Sequence, residues 1–133
     1  MKLYTLVNDQ YLNHKQCGIQ STHALAEMSV KYGHNSKPYK VYENWAKNHK
    51  TMIMLRGGNS KSLEYHFDRL HVFAITLYLP IAKFYEDDTL NGALTAVAII
   101  VPPDCEKYVV DGALYEYAAT QQLINVMAYF KLV

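Results

Sequence analysis

Cysteine is almost missing: Cys17 and Cys105 are the only two in 133 residues, and they form no Cys-x-x-Cys pair. That excludes a disulfide framework and a zinc site built from cysteine alone, and it sets a reducing cytoplasm as the expected compartment. An excess of charge of one sign is missing too. Thirteen basic residues against twelve acidic give a formal charge of +1, so no whole-molecule field draws the chain to nucleic acid and a basic footprint has to be local. No apolar run approaches the roughly 20 residues of a bilayer-spanning helix. The longest covers residues 94–103, and Asp9 with its polar neighbours stands where a signal peptide would carry its apolar region. The expectation is a soluble, unexported protein with no membrane partner. Arginine is scarce, 2 against 11 lysines, beside 12 tyrosines and 8 asparagines, a usage common in AT-rich bacterial and phage genomes.

Apolar material is plentiful. Half the residues are hydrophobic and 19% are charged, which excludes intrinsic disorder and suits one domain over residues 1–133. Residues 3–7 are short, apolar and β-prone and end at Asn8-Asp9, so they read as a first, central strand. Ser21-Thr22 precedes Ala24, Leu25, Met28 and Tyr32 on one helical face, with Gly33 as the stop. A short helix is expected around residues 41–48 and a second strand over 51–55, broken by Gly57-Gly58-Asn59 before a cap at Ser60. Leu63, Phe67, Leu70, Ala74 and Leu77 recur at helical spacing up to Tyr78. Pro80 ends that helix, residues 81–85 form a third strand, and Glu86-Asp87-Asp88 turn the chain. Residues 94–101 read as a strand covered on both faces and closed by Pro102-Pro103, and a final helix is expected from Val109 onward. The fold class is α/β: a small three-layer sandwich with about four strands in a mixed sheet flanked by helices.

Four local matches, in order along nearly the whole chain, resemble the type 2 peptidyl-tRNA hydrolase family. Asn8-Asp9 ends the first strand and is followed by Gln20-Ser21-Thr22-His23-Ala24, similar to the family's Asn-Asp pair and its Ala-Gln-Cys-Ser-His-Ala helix start. Leu79-Pro80, a strand and an acidic turn resemble the family's Gly-Leu-Pro segment leading to Asp-Ala-Gly-x-Thr. Thr95-Ala96-Val97-Ala98-Ile99 resembles its Thr-Val-Leu-Ala-Ile strand, and Phe130-Lys131-Leu132-Val133 its Leu-Lys-Leu-Leu ending. The resemblance implies cleavage of the ester joining a peptide to tRNA, and a homodimer. Departures point to a rebuilt site: His14 and Gln16 flank Lys15 where the family carries lysines, the Asp-Ala-Gly-x-Thr turn becomes Glu86-Asp87-Asp88-Thr89, and residues 105–117 are extra.

His23 is the leading candidate for acid–base work, at a helix start facing the crevice beside the strand ends; alternatively it caps or packs against strand one. Ser21 and Thr22 either offer hydroxyls and free helix N–H groups to a phosphate or oxyanion, or simply cap. His14 would pair with His23 across the loop, and Lys15 would stabilise charge. Asp9 and Glu86 would orient an imidazole or bind a ribose hydroxyl, with Asn8 and Gln20 beside them. Lys31, Lys37, Lys40, Lys47 and Lys50 interleave with Tyr32, Tyr39, Tyr42 and Trp45, a combination that neutralises phosphate and stacks on bases, or else a lid over the core. Arg56 with Gly57-Gly58 is a further phosphate candidate. No metal and no cofactor is expected. The function expected is hydrolysis of peptidyl-tRNA or a related ester or phosphodiester of an RNA- or nucleotide-type ligand. The alternative is a phage-type anti-defence protein, active in the bacterial host cytoplasm, that sequesters or degrades a cyclic-nucleotide immune signal. A protein-interaction module using residues 105–117 comes third.

Overall fold

The computed structural model describes residues 1–11, 13–86, 92–102, 123 and 125–133. Its elements run β1 (Lys2–Asn8), α1 (His14–Lys31), α2 (Lys37–Asn48), β2 (Met52–Gly58), α3 (Ser60–Leu77), β3 (Ile81–Glu86) and β4 (Ala93–Val101). The strands form one mixed sheet in the order β2-β1-β4-β3, with β1 parallel to β2, and β4 antiparallel to both β1 and β3. β1 is central, as its apolar sequence predicts. Among the described residues no helix is long and apolar enough to cross a membrane.

The period-two alternation of β4 produces the layers. Val97, Ile99 and Val101 pack with Leu63, Phe67, Leu70, Ala74 and Leu77 of α3, together with Leu6 and Leu55. Ala96, Ala98 and Ile100 turn the other way, onto Ala24 and Met28 of α1 and Trp45 of α2. Helices therefore cover both faces, and each fully buried Leu or Ile contributes about 1.5–3 kcal/mol of transfer free energy. Leu123 and Met127 complete the α3 side, and residues 125–128 are helical. Residues 131–133 then return beside the open edge of β2: Arg56 N–H donates to the Lys131 carbonyl at 2.8 Å and Val133 N–H to the Met54 carbonyl at 3.0 Å. This covers backbone groups that an edge strand otherwise leaves unpaired.

Several boundaries differ from the sequence expectation. Helix α1 starts at His14, capped by Asn13, whose side chain accepts from Gln16 N–H at 2.8 Å, so Ser21 and Thr22 lie inside it. Helix α2 starts at Lys37 because Ser36 caps it and Pro38 suits its first turn. The α3 cap is Asn59, which accepts from Ser62 N–H at 2.9 Å, and not Ser60. Gly57-Gly58 does not break β2. The β1 register skips from Val7↔Arg56 to Asn8↔Gly58, and at Gly57 an added Cβ would overlap the Leu63 side chain and lie 3.2 Å from Leu6 Cβ. Glycine here lets α3 come down onto the sheet; Gly58 follows at φ +81°, in the left-handed region. The Asp87-Asp88 turn, Cys105, residues 105–117 and the start of the final helix lie outside the described residues.

Candidate functional site

Because β1, β2 and β3 run in the same direction, their carboxyl ends meet at one rim of the sheet, beside the start of β4. Asn8 ties that rim together. Its Nδ2 donates to the Leu94 carbonyl at 2.9 Å and to Ser60 Oγ at 3.0 Å, and its Oδ1 accepts from Gln10 N–H at 2.9 Å. Asn8 is 1% exposed, so it acts as a strut between β1, β4 and α3 and not as an open ligand contact.

On the β2 side of this strut lies a cavity of about 290 Å³ whose lining includes Asp9, Tyr11, His14, Cys17, Arg56 and Leu132. Arg56 Nε stands 3.5 Å from Asp9 Oδ1, with both side chains about half exposed. A pair so open to water adds little stability; its effect is to hold a cation and an anion side by side at the cavity mouth. Cys17 is buried and its thiol donates to the Tyr11 carbonyl at 3.2 Å. Burial pushes this thiol up from its ordinary value and the Asp9 charge adds to the shift, against a hydrogen bond that lowers it. The thiol therefore stays protonated and is a poor nucleophile.

A second polar group lies toward β3. Gln20 Nε2 donates to Glu86 Oε2 at 3.3 Å, while Gln20 Oε1 accepts from Thr95 Oγ1 at 2.8 Å. The β3–β4 register jumps from Phe84↔Ala96 to Tyr85↔Leu94, leaving Thr95 as the extra residue; this bulge aims its hydroxyl at Gln20. His23 is exposed, one turn beyond Gln20 on the same helical face, and stacks on Phe84 with ring centroids 4.5 Å apart and planes 22° from parallel. Phe84 and Glu86 alternate to the same face of β3, which puts the imidazole and the carboxylate on one side of its carboxyl end.

Other predicted groupings are not formed. His14 and His23 belong to one helix, nine residues apart, which separates them by about 13.5 Å along the axis and turns them to opposite faces. The expected relay between them is therefore corrected: His14 joins the cavity and His23 the β3 side. Ser21 and Thr22 do not form a helix N-terminus. Ser21 Oγ is buried 2.7 Å from Thr5 Oγ1, and Thr22 Oγ1 donates to the Gly18 carbonyl one turn back at 2.8 Å. Lys15 is exposed beside His14. Tyr39 stacks on His34 at 4.5 Å. Trp45 is 6% exposed and donates to the Thr51 carbonyl, which also accepts from Leu3 N–H. Leu3 lies at the amino end of β1, about 16 Å of strand away from Asn8. Trp45 thus packs the core at the far end of the sheet. Tyr11 and Cys17 in the cavity and Thr95 beside Gln20 are site residues that the sequence alone does not mark. A hydroxyl at Thr95 in an otherwise apolar strand was the available signal, since a buried hydroxyl needs a partner.

Among the described residues no three His, Cys, Asp or Glu side chains gather as a metal site. No protein-family model matches the chain. No curated protein matches it in sequence either.

Proposed function

We propose that this chain is a hydrolase akin to the type 2 peptidyl-tRNA hydrolases, acting on peptidyl-tRNA or a related ester or phosphodiester of a nucleotide. One observation carries the reading: the rim at the strand ends gathers the Asp9–Arg56 cavity and, across Asn8, the Gln20–Glu86–Thr95 group with His23 one turn away. Crevices outside the carboxyl ends of strands are where open α/β sheets bind ligands. In this reading His23 gives or takes the proton, Glu86 is held in place by Gln20, and Arg56 and Lys15 offset phosphate charge while His14 lines the ligand's seat.

A second reading, sequestration of a nucleotide without turnover, draws on the same residues. Asp9 is engaged by Arg56, Glu86 by Gln20, and the Cys17 thiol is kept protonated, so the polar groups are arranged to hold as well as to react. The deciding experiment is mass spectrometry of peptidyl-tRNA and of linear and cyclic nucleotides after incubation with wild type and with His23→Ala. Products that vanish in the variant identify a hydrolase and its substrate class. Compounds that all survive, with one retained on the protein, identify the sequestering role.

A further inference from the structure

One more hollow adjoins the cavity at the strand ends, and another adjoins that one. The first, about 410 Å³, shares Asp9 and Arg56 with the cavity and continues past His66 to Tyr129, Phe130 and Lys131. The second, about 450 Å³, shares His66, Tyr129 and Phe130 and adds Tyr65 and Arg69. The result is one trough along the outside of α3. Ser62, Tyr65, His66 and Arg69 fall at helical positions i, i+3, i+4 and i+7, which is one face of that helix.

Its chemistry differs from that of the molecule as a whole. Arg56, Arg69 and Lys131 line the trough, and the one acid among the described lining residues is Asp9, already paired with Arg56. Beside these cations are exposed rings, each meeting one neighbouring ring at a steep angle: Tyr65 meets His66 at 5.6 Å and 67°, and Tyr129 meets Phe130 at 6.0 Å and 80°. Tyr129 is 83% exposed and Tyr65 62%, far more than a tyrosine packed for stability. His66 meets the Phe130 ring edge-on, with centroids 4.8 Å apart and planes at 88°, and this brace holds the floor. Cations along a groove with aromatic faces between them suit a nucleotide strand: phosphates meet the cations and unpaired bases stack on the rings.

We infer that this trough binds a short single-stranded stretch of RNA, with bases on Tyr65 and Tyr129 and phosphates on Arg69 and Lys131, and leads its end to the Asp9–Arg56 cavity. The inference rests on the nucleotide-directed reading above and names the part of such a ligand that α3 recognises. It is distinct from the Lys31–Lys50 segment that the sequence suggested, whose Trp45 is buried at the other end of the sheet.

The test is fluorescence anisotropy with a labelled single-stranded hexa-adenylate, which carries no peptidyl ester. Wild type should bind it more tightly than a duplex RNA of equal length, whose bases are already stacked. Tyr129→Ala should weaken binding by at least about fivefold. Arg69→Gln and Lys131→Gln should each flatten the dependence of log K on log salt by about 0.7. Circular dichroism of each variant keeps a folding defect apart from a binding defect. No binding by wild type, equal binding of the duplex, or wild-type affinity in Tyr129→Ala would each overturn the trough. Turnover is read separately on peptidyl-tRNA. Absent cleavage with these binding losses intact removes the hydrolase reading and leaves the trough standing; cleavage without hexa-adenylate binding does the reverse.

Discussion

His14 and His23 ride on one unbroken helix, nine residues apart, and their imidazoles point to opposite sides of it. One lines the cavity beside Asp9 and Arg56, and the other stacks on Phe84 near Glu86. The two histidines therefore have separable effects. His23→Ala should lower kcat by about 100-fold or more, the range for a lost acid–base group, while His14→Ala should act mainly on KM. Steady-state kinetics of both variants on the same substrate decides it, and equal effects on kcat would refute the division.

Asn8 holds three partners from a buried position, so its amide matters more than its size. Asn8→Asp removes the donor to the Leu94 carbonyl and places a carboxylate against it. A loss of about 2–3 kcal/mol is expected, with Asn8→Ala close behind. Urea unfolding with an unchanged slope and a lower midpoint is the predicted signature.

Two glycines should respond with opposite sign. Gly57→Ala must displace Leu63 from the core and is expected to destabilise by about 1–3 kcal/mol. Gly18 sits inside α1 with nothing within 4 Å of an added Cβ, so Gly18→Ala should stabilise by up to about 1 kcal/mol. Thermal melts of the pair measure both at once, and a shared direction would contradict the close approach of α3 at Gly57.

Trp45→Ala should destabilise by about 3–5 kcal/mol, because the indole fills the α2 side of the core and donates to Thr51. Trp45→Phe, which keeps most of the ring, should lose only about 1 kcal/mol. If Trp45→Phe stays folded yet loses nucleotide affinity, the core assignment fails.

Burial, and next the Arg69 charge, push the His66 imidazole below its ordinary value of 6.5. The folded state therefore binds this proton less readily than the unfolded chain. The stability this residue contributes is complete above about pH 6.5 and falls as the pH drops through its lowered folded value. His66→Gln should flatten that part of the decline. Urea midpoints at pH 7.5 and 5.5 for both proteins give the answer, and parallel declines would exclude His66.

The strands were legible because their signal is local. Residues 3–7, 81–85 and 94–101 are apolar and β-prone, and each lies inside an observed strand. The face of α3 was equally plain, since Leu63, Phe67, Leu70, Ala74 and Leu77 repeat every three or four residues and all five are buried. The start of α1 was not. Asn13 competes with Ser21-Thr22 as a cap, and what separates them is the Ser21 bond to Thr5, sixteen residues back on β1.

The chain's own pattern determined an α/β sandwich with β1 in the middle, because periodicity and turn chemistry act between near neighbours. Only the tertiary structure decided the site. Gln20 meets Glu86 and Thr95 across 66 and 75 residues, Asp9 meets Arg56 across the β1–β2 pairing, and Tyr129 and Lys131 come alongside α3 from the far end of the chain. Such partners are chosen by the packing of layers and the register of strands, which no local window of sequence contains.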